Sequence, residues 1–218
     1  MACLARTFEE FPRFNSFRKG GRLVILDDLT IGVLFEREFE GESIPEGMGI
    51  KEANHKTFRQ INDELREVQQ HTGKHLGSAS GIPWIRFIPD FLLKTFVRLA
   101  ARNIAMKKRF GVTAVTAVGM FGSGPLWPVP LTSGTVTVAV GSIAKRPVPR
   151  SGQLEEREHL CLTISFNHDL IDGAPAARFV SRFAEWLSSG RELEEVIAHE
   201  KAESADEITD TQKRKEEE

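Results

Sequence analysis

The sequence predicts one α/β domain, a mixed β-sheet flanked by helices. Runs of β-forming residues at 22–26, 29–35, 112–118, 135–143 and up to His168 alternate with apolar stripes at helical spacing. With 218 residues, 40% of them hydrophobic, the chain can bury one sizeable core. The segment LCLTISFNHDLIDG (160–173) joins the last strand directly to an amphipathic helix.

Taken in order, MACLARTFEE (1–10) reads as the end of a helix with Leu4 and Phe8 on one face, stopped by Pro12. Runs 22–26 and 29–35, separated by Asp27 and Asp28, suggest a tight hairpin, and 41–52 reads as loop and turn. Thr57-Phe58-Arg59-Gln60 has the form of a capping box, in which the threonine oxygen and glutamine amide satisfy free N–H groups at a helix start. Phe58, Ile61, Leu65 and Val68 then form a stripe that should end at Gly73. In 81–110, entered through Pro83 and Pro89, Leu93, Val97, Ala100 and Ile104 face one way and Lys94, Arg98 and Arg102 the other. Strands are expected at 112–118 and 135–143 around the Gly/Pro-rich 119–134, with a turn-rich piece at 146–153. The final major helix carries Pro175 in its first turn, where a missing N–H costs little. Its stripe is Ala176, Phe179, Val180, Phe183, Trp186 and Leu187, with Gly190 at its end. A short helix is expected at 192–199. Residues 201–218, charged and without aromatics, read as a disordered tail.

Composition narrows the function. The net charge of −2 gives no footprint for nucleic acid. Cys3 and Cys161 lie far apart, in no metal or redox spacing, and suit a reducing compartment. With no signal sequence and no apolar run long enough to cross a bilayer, a cytoplasmic protein is expected. The basic stripe at 91–109 admits two readings: a helix packed on its own core with a solvated basic face, or weak contact with an anionic membrane surface.

The junction at 160–173 carries the chemistry. It puts His168 at the lip of a sheet, with Asp172 and Gly173 opening the next helix. An imidazole titrates near neutral pH, so a histidine held there can act as a general base. The plain alternative is a strand-end histidine satisfied by a carbonyl and an aspartate capping the helix. His71 and His75 have helical metal-pair spacing, but Gly73 lies between them and no third ligand is near, so a surface loop is expected. His55 and His199 lie among charges. Gly119, Gly122 and Gly124 match no phosphate-binding fingerprint. Cys161 alternates away from His168 along the strand, which argues against a Cys–His pair. Thr116 lies in a strand just before the glycine turn at 119–122.

Several segments together resemble a known family. NHDLIDGA (167–174) is similar to the DHRxxDGA signature of the catalytic domain of 2-oxo acid dehydrogenase complex acyltransferases, whose superfamily includes chloramphenicol acetyltransferase. GVTAVTAVGMFG (111–122) resembles the family's GTFTISNLGMFG segment and is followed by VAVGSI (138–143). DLTIGV (28–33) and IKEANHKTF (50–58) also resemble family segments, in the same order. The resemblance runs from about Phe8 to Trp186.

It implies a chloramphenicol-acetyltransferase-like two-layer α/β sandwich over 1–200 and transfer of an acyl group between a thioester and a thiol. Coenzyme A or dihydrolipoamide would be substrate, with no covalently bound cofactor and no metal. His168 would be the general base and Thr116 would take the place of the serine that donates a hydrogen bond to the oxyanion. Asp172 would orient the loop carrying His168, and Gly173 and Asn167 would shape the turn. The family pattern is a homotrimer in which base and oxyanion donor meet across a subunit boundary. Acyl-CoA, or a lipoyl-bearing protein in trans, would be the partner. Asn167 stands for the family's aspartate, Asp169 for its arginine, and Thr116 adds a methyl that restricts its rotamer. Relative to the family, the first strand and most of the first helix are expected to be missing. A second reading is therefore a non-catalytic oligomerising or binding homologue with a decayed site.

Overall fold

The computed structural model of the chain describes residues 1–39, 42–70, 103–122, 124–131 and 134–194. Helix α1 spans Ala2–Glu10. Strands β1 (Ser16–Lys19) and β2 (Arg22–Ile25) form a small separate hairpin. The main sheet is built from β3 (Ile31–Phe39), β4 (Glu42–Ile50), β5 (Thr113–Ala117), β6 (Val136–Arg150) and β7 (Gln153–Phe166). Helix α2 covers Phe58–Gln70, α3 Ile104–Phe110 and α4 Gly173–Ser189.

The sheet order is β4-β3-β5-β6-β7. β5 lies parallel to β3 and β6, while the outer pairs β3–β4 and β6–β7 are antiparallel. The sheet is therefore mixed, with helices flanking it. One face carries Ile31, Val33, Val115, Val136, Val138 and Ile164, packed beneath α1, α2 and α4 through Leu4, Phe8, Ile61, Phe179 and Phe183. By strand alternation the other face carries Gly32, Leu34, Ala114, Thr116, Thr137, Ala139, Thr163 and Ser165, all but Leu34 small or hydroxyl-bearing.

An aromatic cluster ties the helical layer to the end of β7. Phe179 is fully buried. It stacks on Phe14 at 4.7 Å between centroids and meets Phe8, Phe11 and Phe166 edge-on at 5.3, 5.5 and 5.7 Å. A polar latch closes the same contact at the surface. Arg182 of α4 holds Glu10 of α1 at 2.7 Å, and the Trp186 indole N–H donates to that carboxylate at 3.1 Å. The hydrogen bond from Arg182 holds the Glu10 carboxyl below the usual range. The latch is therefore complete above the ordinary glutamate pKa and is lost only as pH falls through the lowered value.

Helix α1 and the two ends of α4 lie where the periodicity predicts. Thr57 and Gln60 form the expected capping box: Thr57 N–H donates to Gln60 Oε1 at 2.9 Å and Gln60 N–H to Thr57 Oγ1 at 3.3 Å. Gly190 ends α4 in the left-handed conformation.

Four expectations need correction. The run from Arg22 does not pair with the run ending at Phe35. It pairs backward with β1, because Gly20 (φ 61) supplies a tighter turn than the two aspartates. Much of 41–52 is strand β4 rather than loop. It lies at the sheet edge, where Pro45 is tolerated, and a Cβ at Gly49 would come within 2.3 Å of the Arg109 carbonyl oxygen. The piece 146–153 is not a turn region. β6 continues to Arg150 and only Ser151 and Gly152, both at positive φ, make the turn. The helix expected to run through Ile104 instead starts there, since extended Asn103 caps it by accepting from Ala105 N–H at 2.9 Å. Residues 71–102, with His71, His75 and most of the basic stripe, lie outside the described residues, as do His199 and the tail 201–218. Among the described residues no helix is long and apolar enough to cross a membrane.

Phe179→Ala removes the ring that joins α1, α4 and the end of β7. Urea unfolding should show a loss of about 3–5 kcal/mol, the usual cost of emptying a buried aromatic site.

Candidate active site

His168 follows β7 directly, and the turn that carries it is organised by Asn167. The Asn167 N–H donates to Thr135 O at 3.0 Å, anchoring the turn to the start of β6. Its carbonyl accepts from the N–H groups of Leu170 and Ile171, each at 3.0 Å. Its side-chain Oδ1 accepts from Asp169 N–H at 3.0 Å. One residue thus closes both halves of an Asx-type turn, and the imidazole of His168 projects exposed from its tip. Phe166 before the turn and Phe179 after it pack on each other, so the aromatic cluster grips the turn from both sides.

Asp172 is the N-cap of α4, where its carbonyl accepts from Ala176 N–H at 3.1 Å. Its side chain makes no capping bond, and the work of shaping the turn falls to Asn167. Gly173 corrects an expectation: it is not at positive φ and a Cβ there would meet nothing within 4 Å, so the turn into α4 does not require glycine.

Thr116 sits near the C-terminal end of β5, half-buried, in register with Leu34 of β3 and Ala139 of β6. The turn after it depends on two glycines. A Cβ at Gly119 would lie 2.0 Å from Gly141 O, and one at Gly141 would lie 1.9 Å from Leu126 O. The backbone of the turn therefore lies directly against β6. Ser142 fixes the following segment by donating to Gly124 O at 2.5 Å and accepting from Leu126 N–H at 2.9 Å. This steric role of Gly119, Gly141 and Ser142 is not visible in a search for phosphate-binding spacing. The only sequence signal was a glycine turn directly after a strand.

The strand directions keep the two candidate residues apart within one chain. Thr116 aligns with Ala139, which aligns with Thr163 of β7. His168 lies five positions beyond Thr163, at the opposite end of the sheet and two strands away. Strand rise and spacing put them about 19 Å apart, far beyond hydrogen-bond reach. Cys161 is buried, and His55 is exposed on the short turn Ala53–His55. Neither approaches His168 in sheet register.

Among the described residues, the five-stranded mixed sheet with one helical layer makes a two-layer α/β fold. Solved structures share it. A probable dihydrolipoamide acetyltransferase from Listeria monocytogenes matches with a TM-score of 0.60 at 20% identity, over 86% of this chain and 67% of that one. The dihydrolipoamide acetyltransferase of Azotobacter vinelandii matches with a TM-score of 0.58 at 19% identity, over 88% and 68%. The sequence profile of the family described as 2-oxoacid dehydrogenases acyltransferase (catalytic domain) matches residues 100–194. The dihydrolipoyllysine-residue acetyltransferase component of the pyruvate dehydrogenase complex of Haemophilus influenzae is 24% identical over 198 residues, 88% of this chain and 29% of that protein. The lipoamide acyltransferase component of the branched-chain alpha-keto acid dehydrogenase complex of Pseudomonas putida is 28% identical over 142 residues, 56% and 34% respectively. The chain is thus similar to this acyltransferase catalytic-domain family over residues 100–194, and it spans about a third of the length of these curated relatives.

The Asn167 turn gives a direct test of local geometry. Asn167→Ala should cost about 1 kcal/mol in urea unfolding, whereas Asn167→Asp, which keeps the acceptor, should stay within about 0.5 kcal/mol of the parent.

Proposed function

We propose that the protein transfers an acyl group between a thioester and a thiol, with His168 as general base and Thr116 as oxyanion donor. The thioester is acyl-CoA or an acyl-lipoyl group carried by another protein, and the thiol is dihydrolipoamide or coenzyme A. His168 removes the proton of the attacking thiol, and the thiolate adds to the thioester carbonyl. The Thr116 hydroxyl donates a hydrogen bond to the resulting oxyanion. Collapse of the intermediate expels the second thiolate, which takes the proton back from the imidazolium.

Residue spacing carries this reading. In the Azotobacter vinelandii enzyme a serine, a histidine and an asparagine have been investigated for their role in the catalytic mechanism. The serine stands 52 positions before the histidine and the asparagine four after it. In this chain Thr116 stands 52 positions before His168, and Asp172 four after it. The substituted residue types keep a hydroxyl and a short polar side chain.

The separation of about 19 Å within one chain calls for a second copy. The surface beside Thr116 supports the same view. Leu34, its neighbour in register, is exposed, as are Met120, Phe121, Val129 and Leu131 in the segment that follows, Leu131 almost fully. Several exposed large apolar side chains in and after β5's neighbourhood make this a candidate association surface. In the proposed homotrimer that surface receives the neighbouring copy, whose His168 completes the site.

His168→Ala should lower acyl transfer between acetyl-CoA and dihydrolipoamide by about 10²–10⁴-fold. Thr116→Val, which keeps the shape and removes the donor, should lower kcat by about 10²–10³-fold, and Thr116→Ser should retain activity. Full activity in His168→Ala would defeat the mechanism.

The two inactive variants also test where the site is assembled. If it forms between copies, co-refolding His168→Ala with Thr116→Val regenerates interfaces that hold both residues, and a fraction of the activity returns. Trimers seen by light scattering without any recovery on mixing would refute a shared site. A folded monomer without turnover would favour a non-catalytic homologue.

A further inference from the structure

A cleft of about 570 Å³ lies between α3 and the segments that lead into β3 and out of β4. Two of its lining residues, Leu26 and Thr30, are buried, while Asp28, Lys51, Glu52, Lys108 and Arg109 are exposed along it. The mouth is therefore open to solvent. Backbone contacts hold the walls in place. The Thr30 hydroxyl donates to Lys108 O at 3.0 Å, and a Cβ at Gly111 (φ 78) would lie 2.0 Å from Thr30 O. The volume suits a small organic molecule, since ligand pockets run from about 300 to 1,000 Å³.

The charges along the cleft are uncommitted. Among the described residues, the side chains of Asp28, Lys51, Glu52 and Lys108 have no hydrogen-bond or ion-pair partner, although both signs line one cavity. Glu52 is also held at φ 51, in the left-handed region that favours glycine. Strained backbone of this kind gathers at ligand sites. Lysine ammonium and arginine guanidinium groups bind phosphate, and a carboxylate accepts hydrogen bonds from ribose hydroxyls. Cations and carboxylates around one such space fit a ligand that carries both groups. The cleft is separate from the candidate base. Ile50, Ile31, Thr113, Val136 and Phe166 form one row across the sheet. Thr30 and Lys51 lie just past one end of that row and His168 past the other, three to four strand spacings or about 14–19 Å away.

We propose that the cleft binds a phosphorylated ribose, either a free nucleotide or sugar phosphate or the nucleotide end of coenzyme A. Lys51 and Lys108 hold the phosphate, with the Arg109 guanidinium adding charge on that side, and Asp28 and Glu52 accept from the sugar hydroxyls. The inference stands apart from the acyl-transfer reading and needs no turnover to test.

Isothermal titration of the full chain with ribose 5-phosphate, AMP, ribose and inorganic phosphate tests it. Ribose 5-phosphate and AMP should bind, and ribose or inorganic phosphate alone should bind at least about tenfold more weakly. Lys51→Ala and Lys108→Ala should each weaken ribose 5-phosphate roughly tenfold. Glu52→Gly relieves the left-handed backbone, so it should keep or raise Tm while weakening ribose 5-phosphate and leaving inorganic phosphate unchanged. No binding of either phosphorylated ribose overturns the proposal, as does an affinity unchanged in both lysine variants. Equal affinity for inorganic phosphate and ribose 5-phosphate would mark a general anion patch and also overturn it. Competition separates the two sources of the ligand, each of which supports the proposal. Displacement of ribose 5-phosphate by coenzyme A assigns the cleft to the nucleotide end of that molecule, and no displacement assigns it to a free nucleotide or sugar phosphate.

Discussion

The packing of Phe179 against four other aromatic rings is the contact on which the rest of the arrangement depends. It brings together the first helix, the turn after it, the last strand and the last helix, elements drawn from both ends of the chain. Apolar burial supplies the driving force, and the edge-to-face geometry of three of the contacts narrows the ways these elements can meet. The candidate base hangs from this cluster. With Phe166 on one side of the 167–172 turn and Phe179 on the other, the imidazole can stay exposed while its backbone is held. The Glu10–Arg182–Trp186 latch adds direction at the surface.

The candidate oxyanion residue is held differently. Thr116 lies in a strand paired on both sides in parallel, and the turn beyond it is fixed by backbone pressed against backbone at Gly119 and Gly141. Parallel pairing sends β5 and β6 toward the same end of the sheet, and the antiparallel β7 returns to the other. A strand-end histidine on β7 and a strand-end threonine on β5 must then lie at opposite ends. If the proposed acyl transfer uses both residues, this topology gives each chain two half-sites, and the exposed apolar residues near Thr116 are where a second chain would join them.

The two faces of the sheet divide the labour. One is apolar, branched and covered by helices, and it supplies stability. The other is mostly small or hydroxyl-bearing, with Thr116, Thr137, Thr163 and Ser165 clear of the aromatic cluster. Its hydroxyls offer donors and acceptors at intervals set by the strand repeat.

Much of this was legible in the amino-acid sequence. The apolar periods of α1 and α4, the Thr57–Gln60 capping box and the strand-to-helix junction at His168 are local, and local rules read them correctly. The pairing of β2, the strand character of 42–50 and the continuation of β6 and β7 into a long hairpin were misread. The Gly20 turn decided the first, the Arg109 carbonyl over Gly49 bears on the second, and the extended β6–β7 register decided the third. By itself the sequence determined most element types, the family resemblance and the candidate residues Thr116 and His168, because residue identity and spacing along the chain specify them. Only the tertiary structure decided that those residues stand about 19 Å apart and that Thr137 shares a face with Thr116. Strand direction and register arise from pairings between segments distant in the chain, and no local pattern encodes them.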